Sequence, residues 1–185
     1  MRDDPFAIAA DFGAALERVG ASWVIGGSLA SSVHGIPRST VDVDIIVSLA
    51  PDRVAALAAE AKEFIVDVNA LREQLAAGRT HNVFHAATMT KIDVFPAVGP
   101  FERSQITRAI LVRGMRVMSP EDVMLAKLRW FRMGDEFSDR QWRDVLGIVA
   151  TQRPTLDVAY LTRWAADLGV SDLLAHALSD HTGGF

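Results

Sequence analysis

The stretch Val41–Val47 reads VDVDIIV, an apolar segment that contains two carboxylates. Successive residues of a β-strand point to opposite faces of its sheet. A strand here therefore places Asp42 and Asp44 together on one face, while the alternate residues from Val41 onward point into a core. Neighbouring carboxylates repel each other, and a bound divalent cation relieves that repulsion. Mg²⁺ takes oxygen ligands and keeps coordination positions for water and phosphate, so the segment predicts a metal-nucleotide site.

A third carboxylate lies in a second segment of the same kind. Lys91–Phe95 reads KIDVF, with Asp93 between two apolar residues. If Ile92 and Val94 face the core, the alternation of a strand turns Asp93 to the opposite face. Aspartate is disfavoured in strands, so three such residues in two short strands are unlikely to be ordinary surface positions. We expect Asp93 to join the first pair.

The segment Trp23–Ser28 reads WVIGGS and predicts a phosphate-binding turn. Gly26 and Gly27 have no side chain to keep a phosphate away from the backbone. The first amide groups of the helix that follows are unpaired and form an anion site. The hydroxyl of Ser28 adds a donor for a phosphate oxygen. Gly-Gly-Ser alone is a weak signal, but its combination with the strand carboxylates is specific.

Composition restricts the class of protein. The chain has 185 residues, half of them hydrophobic, which is enough for one domain, or for a domain with a modest appendage. It has no cysteine, which excludes disulfides, a thiolate nucleophile and thiolate-bound zinc, and is compatible with the cytoplasm. Neither a signal pattern nor a membrane-spanning apolar run is present, so we expect no membrane partner. With a net charge of −4, an RNA partner would require a local basic patch.

Hydrophobic spacing and turn residues predict helices in the first part of the chain. Asp4 is a typical cap, followed by a first-turn proline, for a helix over residues 5–20. A second helix, Ser28–His34, is predicted to end at Gly35 in the left-handed conformation. An alanine-rich helix is predicted over residues 51–64.

Two hairpins are predicted in the middle of the chain. The first joins a strand over residues 82–89 to one over residues 92–95, and the stretch 65–78 before it is ambiguous. The second joins residues 110–112 to residues 115–118 through an Arg-Gly turn.

After Ser119 the hydrophobic pattern is helical only. The elements therefore predict an α+β fold, a small mixed β-sheet with helices packed on it and a C-terminal helical segment. We expect a core with an N-terminal helix over residues 1–118 and a helical segment, packed on this core, over residues 119–185. The predicted helices of that segment span residues 120–133, 138–150, 156–168 and 171–178.

Together the motifs resemble the signature of the DNA polymerase β-like nucleotidyltransferase superfamily. That signature is a Gly-Gly/Ser turn, an Asp-x-Asp/Glu on the next strand, and a third strand aspartate. The matching residues here are Gly26, Gly27, Ser28, Asp42, Asp44 and Asp93. The resemblance implies the nucleotidyltransferase fold and an enzyme that moves a nucleoside monophosphate from an NTP to an acceptor hydroxyl.

The resemblance also implies catalysis with Mg²⁺, with two ions when substrate is bound. Two such ions, about 3.5–4 Å apart, clamp the attacking and leaving oxygens of an in-line displacement. Asp42 and Asp44 would bind both ions. Asp93 would hold the ion nearer the acceptor and would be the candidate base for its hydroxyl proton.

The longer string over residues 26–44 is similar to the AbiEii/MenT-like branch of the superfamily and its minimal relatives. In that branch a helix lysine helps to hold the nucleotide phosphates, and an Arg-x-x-x-Asp helix supplies a further acidic group near the site. Lys127 and Asp144 match these positions. Arg38 and Thr40 precede the metal strand and are predicted to bind nucleotide at the mouth of the site. Alternatively, Lys127 pairs with Asp144 within a helical core.

The sequence does not identify the acceptor. The toxin branch implies the end of a tRNA, a toxin–antitoxin role and an antitoxin protein as partner, and a protein acceptor is a further option. An aminoglycoside- or lincosamide-type drug is the alternative acceptor within the same enzyme class. A non-catalytic nucleotide-binding regulator or antitoxin partner is the alternative outside it, although the presence of all three carboxylates argues against this.

Overall fold

A computed structural model describes residues 4–179, which form nine α-helices and seven β-strands. The helices are α1 (Pro5–Arg18), α2 (Gly27–His34), α3 (Val54–Glu60), α4 (Val68–Ala76), α5 (Pro100–Thr107), α6 (Pro120–Met133), α7 (Asp139–Gln152), α8 (Val158–Asp167) and α9 (Ser171–Ser179). The strands are β1 (Ser22–Ile25), β2 (Val43–Ser48), β3 (Phe64–Ile65), β4 (His81–His85), β5 (Lys91–Pro96), β6 (Ile110–Val112) and β7 (Met115–Val117). None of the helices within residues 4–179 is long and apolar enough to cross a bilayer.

These elements fall into two compact units. The first comprises the residues up to Leu29 together with Ser39–Met118, and it contains the whole sheet. The second comprises Ala30–Arg38 together with the residues from Ser119 onward, and it contains helices α6 to α9. The division of the chain into domains at residues 118 and 119 stays a prediction.

The first unit is built on a mixed sheet of seven strands in the order β3-β4-β5-β2-β1-β7-β6. Two pairs in this sheet are parallel, β2 with β5 and β1 with β7, and the other pairs are antiparallel. The fully buried Val43, Ile45, Ile92 and Val94 of the two central strands lie in the core. The predicted α+β class with a small mixed sheet is therefore confirmed.

Both predicted hairpins are present. β4 pairs with β5, although β4 ends at His85 because the following residues form a turn in which the hydroxyls of Thr88 and Thr90 lie 2.7 Å apart. β6 pairs with β7 across Arg113 and Gly114, whose φ angles of 51° and 81° are those of a tight hairpin turn.

The strand that carries the first pair of carboxylates is shorter than predicted. β2 begins at Val43, so Asp42 lies in the segment that precedes the strand. Val41 is 74% exposed and does not reach the core, contrary to the prediction. The reason is that the register of β2 with β5 begins at Val43 and that with β1 begins at Ile45, so no ladder holds the earlier residues.

Gly35 does end α2, but its φ angle is not positive, so the predicted left-handed stop is wrong. Close packing within the second unit explains the glycine instead. A Cβ at this position would lie 3.0 Å from the backbone of both Gly147 and Ile148 on α7. Real Cβ contacts are rarely that short, so only glycine fits here without a shift of α7.

The helix predicted over residues 51–64 is also shorter than expected. α3 ends at Glu60, and Phe64 belongs to β3, where it pairs with His85 of β4. The ambiguous stretch that follows contains α4, whose first amides are capped by the carboxylate of Asp67. α5 has no counterpart in the prediction, because Gly99 at its N-terminus offers no side-chain cap.

The helical C-terminal pattern is confirmed within the described residues. α6 begins as its sequence predicts, with Pro120 in the first turn and the Ser119 hydroxyl accepting a hydrogen bond from the amide of Asp122. The four helices of this part agree with the predicted spans to within about two residues at each end, which is the usual uncertainty of a helix boundary.

Candidate active site

The centre of the candidate site is a pair of carboxylates on adjacent parallel strands. Asp44 of β2 and Asp93 of β5 are direct register partners. Their neighbours along each strand are buried in the core, so both aspartates point to the opposite face of the sheet. Adjacent strands are about 4.8 Å apart, which brings the two side chains side by side.

Asp42 lies just outside this pair. It precedes β2, and its side chain is 53% exposed. The Thr40 hydroxyl donates a hydrogen bond of 3.4 Å to the backbone carbonyl of Asp42, so Thr40 shapes the entry to the strand. Asp42 and Asp44 therefore differ in environment, one carboxylate on a loop and the other held within the sheet.

Lys91 is a site residue that the sequence analysis did not single out. Its ammonium lies 2.9 Å from Oδ2 of Asp93 and 3.9 Å from Oδ1 of Asp42. The hydrogen bond to Asp93 raises the pKa of Lys91 above its ordinary value; partial burial opposes this effect, and the charges of Asp42 and Asp44 add to it. Strand alternation could have identified Lys91 from the sequence, since it is two residues before Asp93 and therefore shares the same face of β5.

The glycine turn lies directly against the carboxylate of Asp44. Gly27 has a φ angle of 55°, and a Cβ built on it would collide with that carboxylate. The amide of Gly26 donates a hydrogen bond of 2.9 Å to the backbone carbonyl of Asp44. Ser28 follows in the first turn of α2. The turn predicted to bind phosphate is thus fixed to the strand that carries the central carboxylate.

A second charged cluster is formed within the second unit, around Asp144 of α7. Its carboxylate lies 2.8 Å from Nζ of Lys127 and 3.0 Å from Nε of Arg38. The Ser31 hydroxyl donates to the same carboxylate at 3.3 Å. The side chains of Asp144 and Lys127 are 7% and 6% exposed, so this is a buried ion pair.

The two cations determine the ionisation of Asp144. Burial alone would disfavour the charged carboxylate, but the hydrogen bonds and charges of Arg38 and Lys127 outweigh burial and lower its pKa. Asp144 therefore neutralises two basic side chains, and its role as a further acidic group near the site stays a prediction of the family resemblance.

The predicted site residues are divided between the two units. The first unit holds the glycine turn and the three strand-associated carboxylates, and the second holds the ion-paired cluster. The residues in the first unit are Gly26, Gly27, Ser28, Thr40, Asp42, Asp44 and Asp93; those in the second are Arg38, Lys127 and Asp144.

The carboxylates of the first unit fit a divalent cation, although they are not preassembled as a cage. Across residues 4–179, no three acidic or histidine side chains are grouped as metal ligands. However, Mg²⁺ is usually held by one or two carboxylates together with water and substrate phosphates. Asp44 and Asp93 provide such a pair, and Asp42 lies close enough to share the ammonium of Lys91 with Asp93.

A mixed sheet whose parallel central strands carry register-paired aspartates beside a Gly-Gly-Ser turn is the arrangement of a nucleotidyltransferase. The family model described as nucleotidyl transferase AbiEii toxin, type IV toxin–antitoxin system, matches residues 14–167. The chain therefore belongs to the AbiEii nucleotidyltransferase family and is a nucleotidyltransferase enzyme.

Solved structures agree with this fold. The solution structure of the antibiotic-resistance factor ANT(2'')-Ia is 17% identical, with a TM-score of 0.53 over 96% of this chain and 97% of that one. The crystal structure of ANT(2'')-Ia in complex with adenylyl-2''-tobramycin is 15% identical, with a TM-score of 0.52 over 88% of this chain and 95% of that one. Curated protein sequences gave no match.

Proposed function

We propose that this nucleotidyltransferase moves a nucleoside monophosphate from a magnesium-bound NTP to the hydroxyl of an acceptor, breaking the bond between the α- and β-phosphates and releasing pyrophosphate. The observation that carries the proposal is the register pairing of Asp44 with Asp93 beside the Gly27 turn. This pairing supports the proposal, because a metal–triphosphate complex requires carboxylates for the metal close to backbone amides for a phosphate.

The catalytic roles follow from the position of each carboxylate. Asp44, fixed against the glycine turn, and the loop residue Asp42 would hold the metal that accompanies the triphosphate. Asp93, on the neighbouring strand, would hold the ion nearer the acceptor and take the proton of the acceptor hydroxyl. When bound, Mg²⁺ neutralises the charge that develops on the phosphate oxygens; two ions are proposed with substrate present.

The nucleotide is held by groups of the turn. The amides of Gly27 and Ser28 and the Ser28 hydroxyl donate to phosphate oxygens. Gly26 belongs to the same turn, where a Cβ would lie 2.7 Å from the side chain of Ile46 and 2.8 Å from that of Met118, so packing also requires glycine there. Contacts of Arg38, Thr40 and Lys127 with the nucleotide stay predictions of the family resemblance. For Lys127 and Arg38 the ion pairs with Asp144 are a competing structural explanation.

The acceptor that we propose first is the end of a tRNA. The support is the family description, which assigns AbiEii to a type IV toxin–antitoxin system. In this role the protein is a cytoplasmic toxin, and an antitoxin protein is its partner.

An aminoglycoside-type acceptor is the second candidate. ANT(2'')-Ia, which shares the fold, is described as an antibiotic-resistance factor and was crystallised with adenylyl-2''-tobramycin. A cationic small molecule is also compatible with the net charge of −4. The two candidates use the same carboxylates and differ only in what approaches Asp93.

A labelling experiment distinguishes the two acceptors. The pure protein is incubated with each labelled NTP, Mg²⁺, and either total tRNA or a panel of aminoglycosides. Label on RNA supports the toxin, and label on a small molecule supports the second candidate. Asp44→Asn and a reaction with a chelator are the controls and should give no labelled product. Absence of labelled RNA, drug or protein with every NTP would overturn the proposal.

A further inference from the structure

Lys91 contacts the carboxylate cluster, but the proposed reaction assigns no role to this lysine. Its side chain is 35% exposed and extends along its own strand to Asp93, at 2.9 Å, and toward Asp42, at 3.9 Å. The ammonium thus contacts two of the three carboxylates that the proposed reaction needs for metal. An ammonium has donors and no acceptor, so it cannot help to bind a cation.

Electrostatics makes this contact compete with a bound divalent ion. The three carboxylates and the ammonium together carry a charge of −2, compared with −3 for the carboxylates alone. A Mg²⁺ ion coordinated by Asp93 would share this carboxylate with the Lys91 ammonium, which now donates to Oδ2, and two cations so close repel each other.

We propose that Lys91 is a positioning residue that acts as the resident cation of the metal-free site and leaves the carboxylates when the metal–nucleotide complex binds. The displaced ammonium needs a new anion, and a triphosphate supplies one, whereas a free metal ion does not. The site therefore binds the metal together with the nucleotide and binds free metal poorly. This inference rests on the proposed metal-dependent function.

The composition of the chain provides a matched control. There are three lysines, and Lys62 is exposed in the same unit. Lys91→Gln and Lys62→Gln remove the same charge from the chain, but only the first removes it from the carboxylates. Lys91→Arg keeps the charge at the site and should behave like the wild type.

The test is the affinity of Mn²⁺, measured by calorimetry and by electron paramagnetic resonance, with and without a non-hydrolysable NTP. Lys91→Gln should bind free Mn²⁺ about tenfold more tightly than the wild type, a change of about 1.4 kcal/mol. Lys62→Gln should leave the affinity unchanged. The gain in Mn²⁺ affinity on adding nucleotide should be smaller in Lys91→Gln than in the wild type.

A second measurement is made on the wild-type protein and does not depend on the folding of Lys91→Gln. In wild-type protein labelled with [¹³C]lysine, the Cε resonance of Lys91, assigned by its loss in Lys91→Arg, should shift when Mg²⁺ and the analogue are added together. Equal Mn²⁺ affinity in the wild type and Lys91→Gln, or a Lys91 resonance that does not move, would overturn the inference alone. If Mn²⁺ with nucleotide does not bind even to the wild type, the proposed function fails as well.

Discussion

The carboxylate of Asp44 occupies the space that a side chain at Gly27 would need. Gly27 also has a φ angle of 55°, which disfavours every residue with a Cβ. Gly27→Ala should therefore abolish nucleotidyl transfer and lower the free energy of unfolding by about 1–3 kcal/mol, since the change adds a collision to backbone strain. Chemical denaturation and a transfer assay measure the two effects.

Gly20→Ala is the control for this experiment. Gly20 has a φ angle of 76°, but nothing lies within 4 Å of the Cβ that alanine would add. The Gly20→Ala variant therefore measures the strain of the left-handed conformation alone. Its free energy of unfolding should fall by about 1–2 kcal/mol, and it should retain transfer activity. If the two variants lose the same stability and both stay active, the contact between the turn and Asp44 has no functional importance.

Neutralising Asp44 should separate function from stability. Asp44→Asn should abolish transfer, whereas the melting temperature of the metal-free protein should stay level or rise, because repulsion between Asp44 and Asp93 is relieved. Asp42→Asn should also abolish transfer, and its melting temperature should stay level, because the change removes both repulsion by the other carboxylates and an attraction to Lys91 at 3.9 Å. Asp93→Asn should not raise the melting temperature, because it removes the partner of Lys91 at 2.9 Å.

Thermal denaturation in the presence of a chelator measures these differences. A clear drop in melting temperature for Asp44→Asn would mean that the carboxylate is structural. Transfer activity that survived the substitution would contradict its role in holding metal.

The arrangement of Asp44 and Asp93 is the part of the site that local sequence predicts well. Strict alternation in KIDVF fixes which face Asp93 occupies, whatever its neighbours in the sheet are. In VDVDIIV the same rule assigned Asp44 to the correct face but began the strand too early, since the pairing that makes β2 begin at Val43 depends on another strand, β5. Alternation gives the face of a residue and not the end of its strand.

Long-range packing accounts for what the sequence did not predict. Gly35 is required by the approach of α7, more than a hundred residues away in the chain, so its local conformation carried no signal. The two-residue strand β3 is held by pairing with β4, which no hydrophobic pattern of its own specifies. Lys91 reaches Asp42 because the register brings its strand alongside β2.

The buried cluster around Asp144 should be essential to the stability of the second unit. Asp144→Asn leaves the buried Lys127 and the half-buried Arg38 without their anion, and breaking such a buried pair typically costs about 3–5 kcal/mol. Asp172→Asn is the matched control, since Asp172 pairs with Arg132 at 2.6 Å on the surface and should change stability little. Equal effects of the two substitutions in denaturant titrations would contradict the buried role.

The same cluster predicts an acid-sensitive contribution to stability. The pKa of Asp144 is lowered in the folded protein, so the unfolded chain binds the proton more readily. The stabilisation is fully present above the unfolded pKa of about 3.9 and is lost as the pH falls through the folded value. The stability difference between wild type and Asp144→Asn should therefore be constant near neutral pH and shrink below about pH 4. A constant difference down to pH 2 would exclude this linkage.

Nucleotide binding and catalysis should respond to different residues. Ser28→Ala removes a proposed donor to the triphosphate, and losing a hydrogen bond to a charged group costs about 1.5–3 kcal/mol, or roughly 10- to 150-fold in affinity. Asp93→Ala should leave nucleotide affinity near that of the wild type and remove turnover, because Asp93 acts on the acceptor. Ser48→Ala, at the exposed end of β2, is the matched control and should change neither property.

Calorimetric titration with a non-hydrolysable NTP and Mg²⁺ measures the binding side of this division, and the transfer assay measures turnover. Lys127→Ala belongs in the same series, because the family resemblance predicts weaker nucleotide binding, whereas its ion pair of 2.8 Å with Asp144 predicts mainly a loss of stability. Normal nucleotide affinity in Lys127→Ala would assign that lysine to the buried cluster alone. Loss of binding in Asp93→Ala as severe as in Ser28→Ala would show that Asp93 holds the nucleotide as well, and the separation of roles would be wrong.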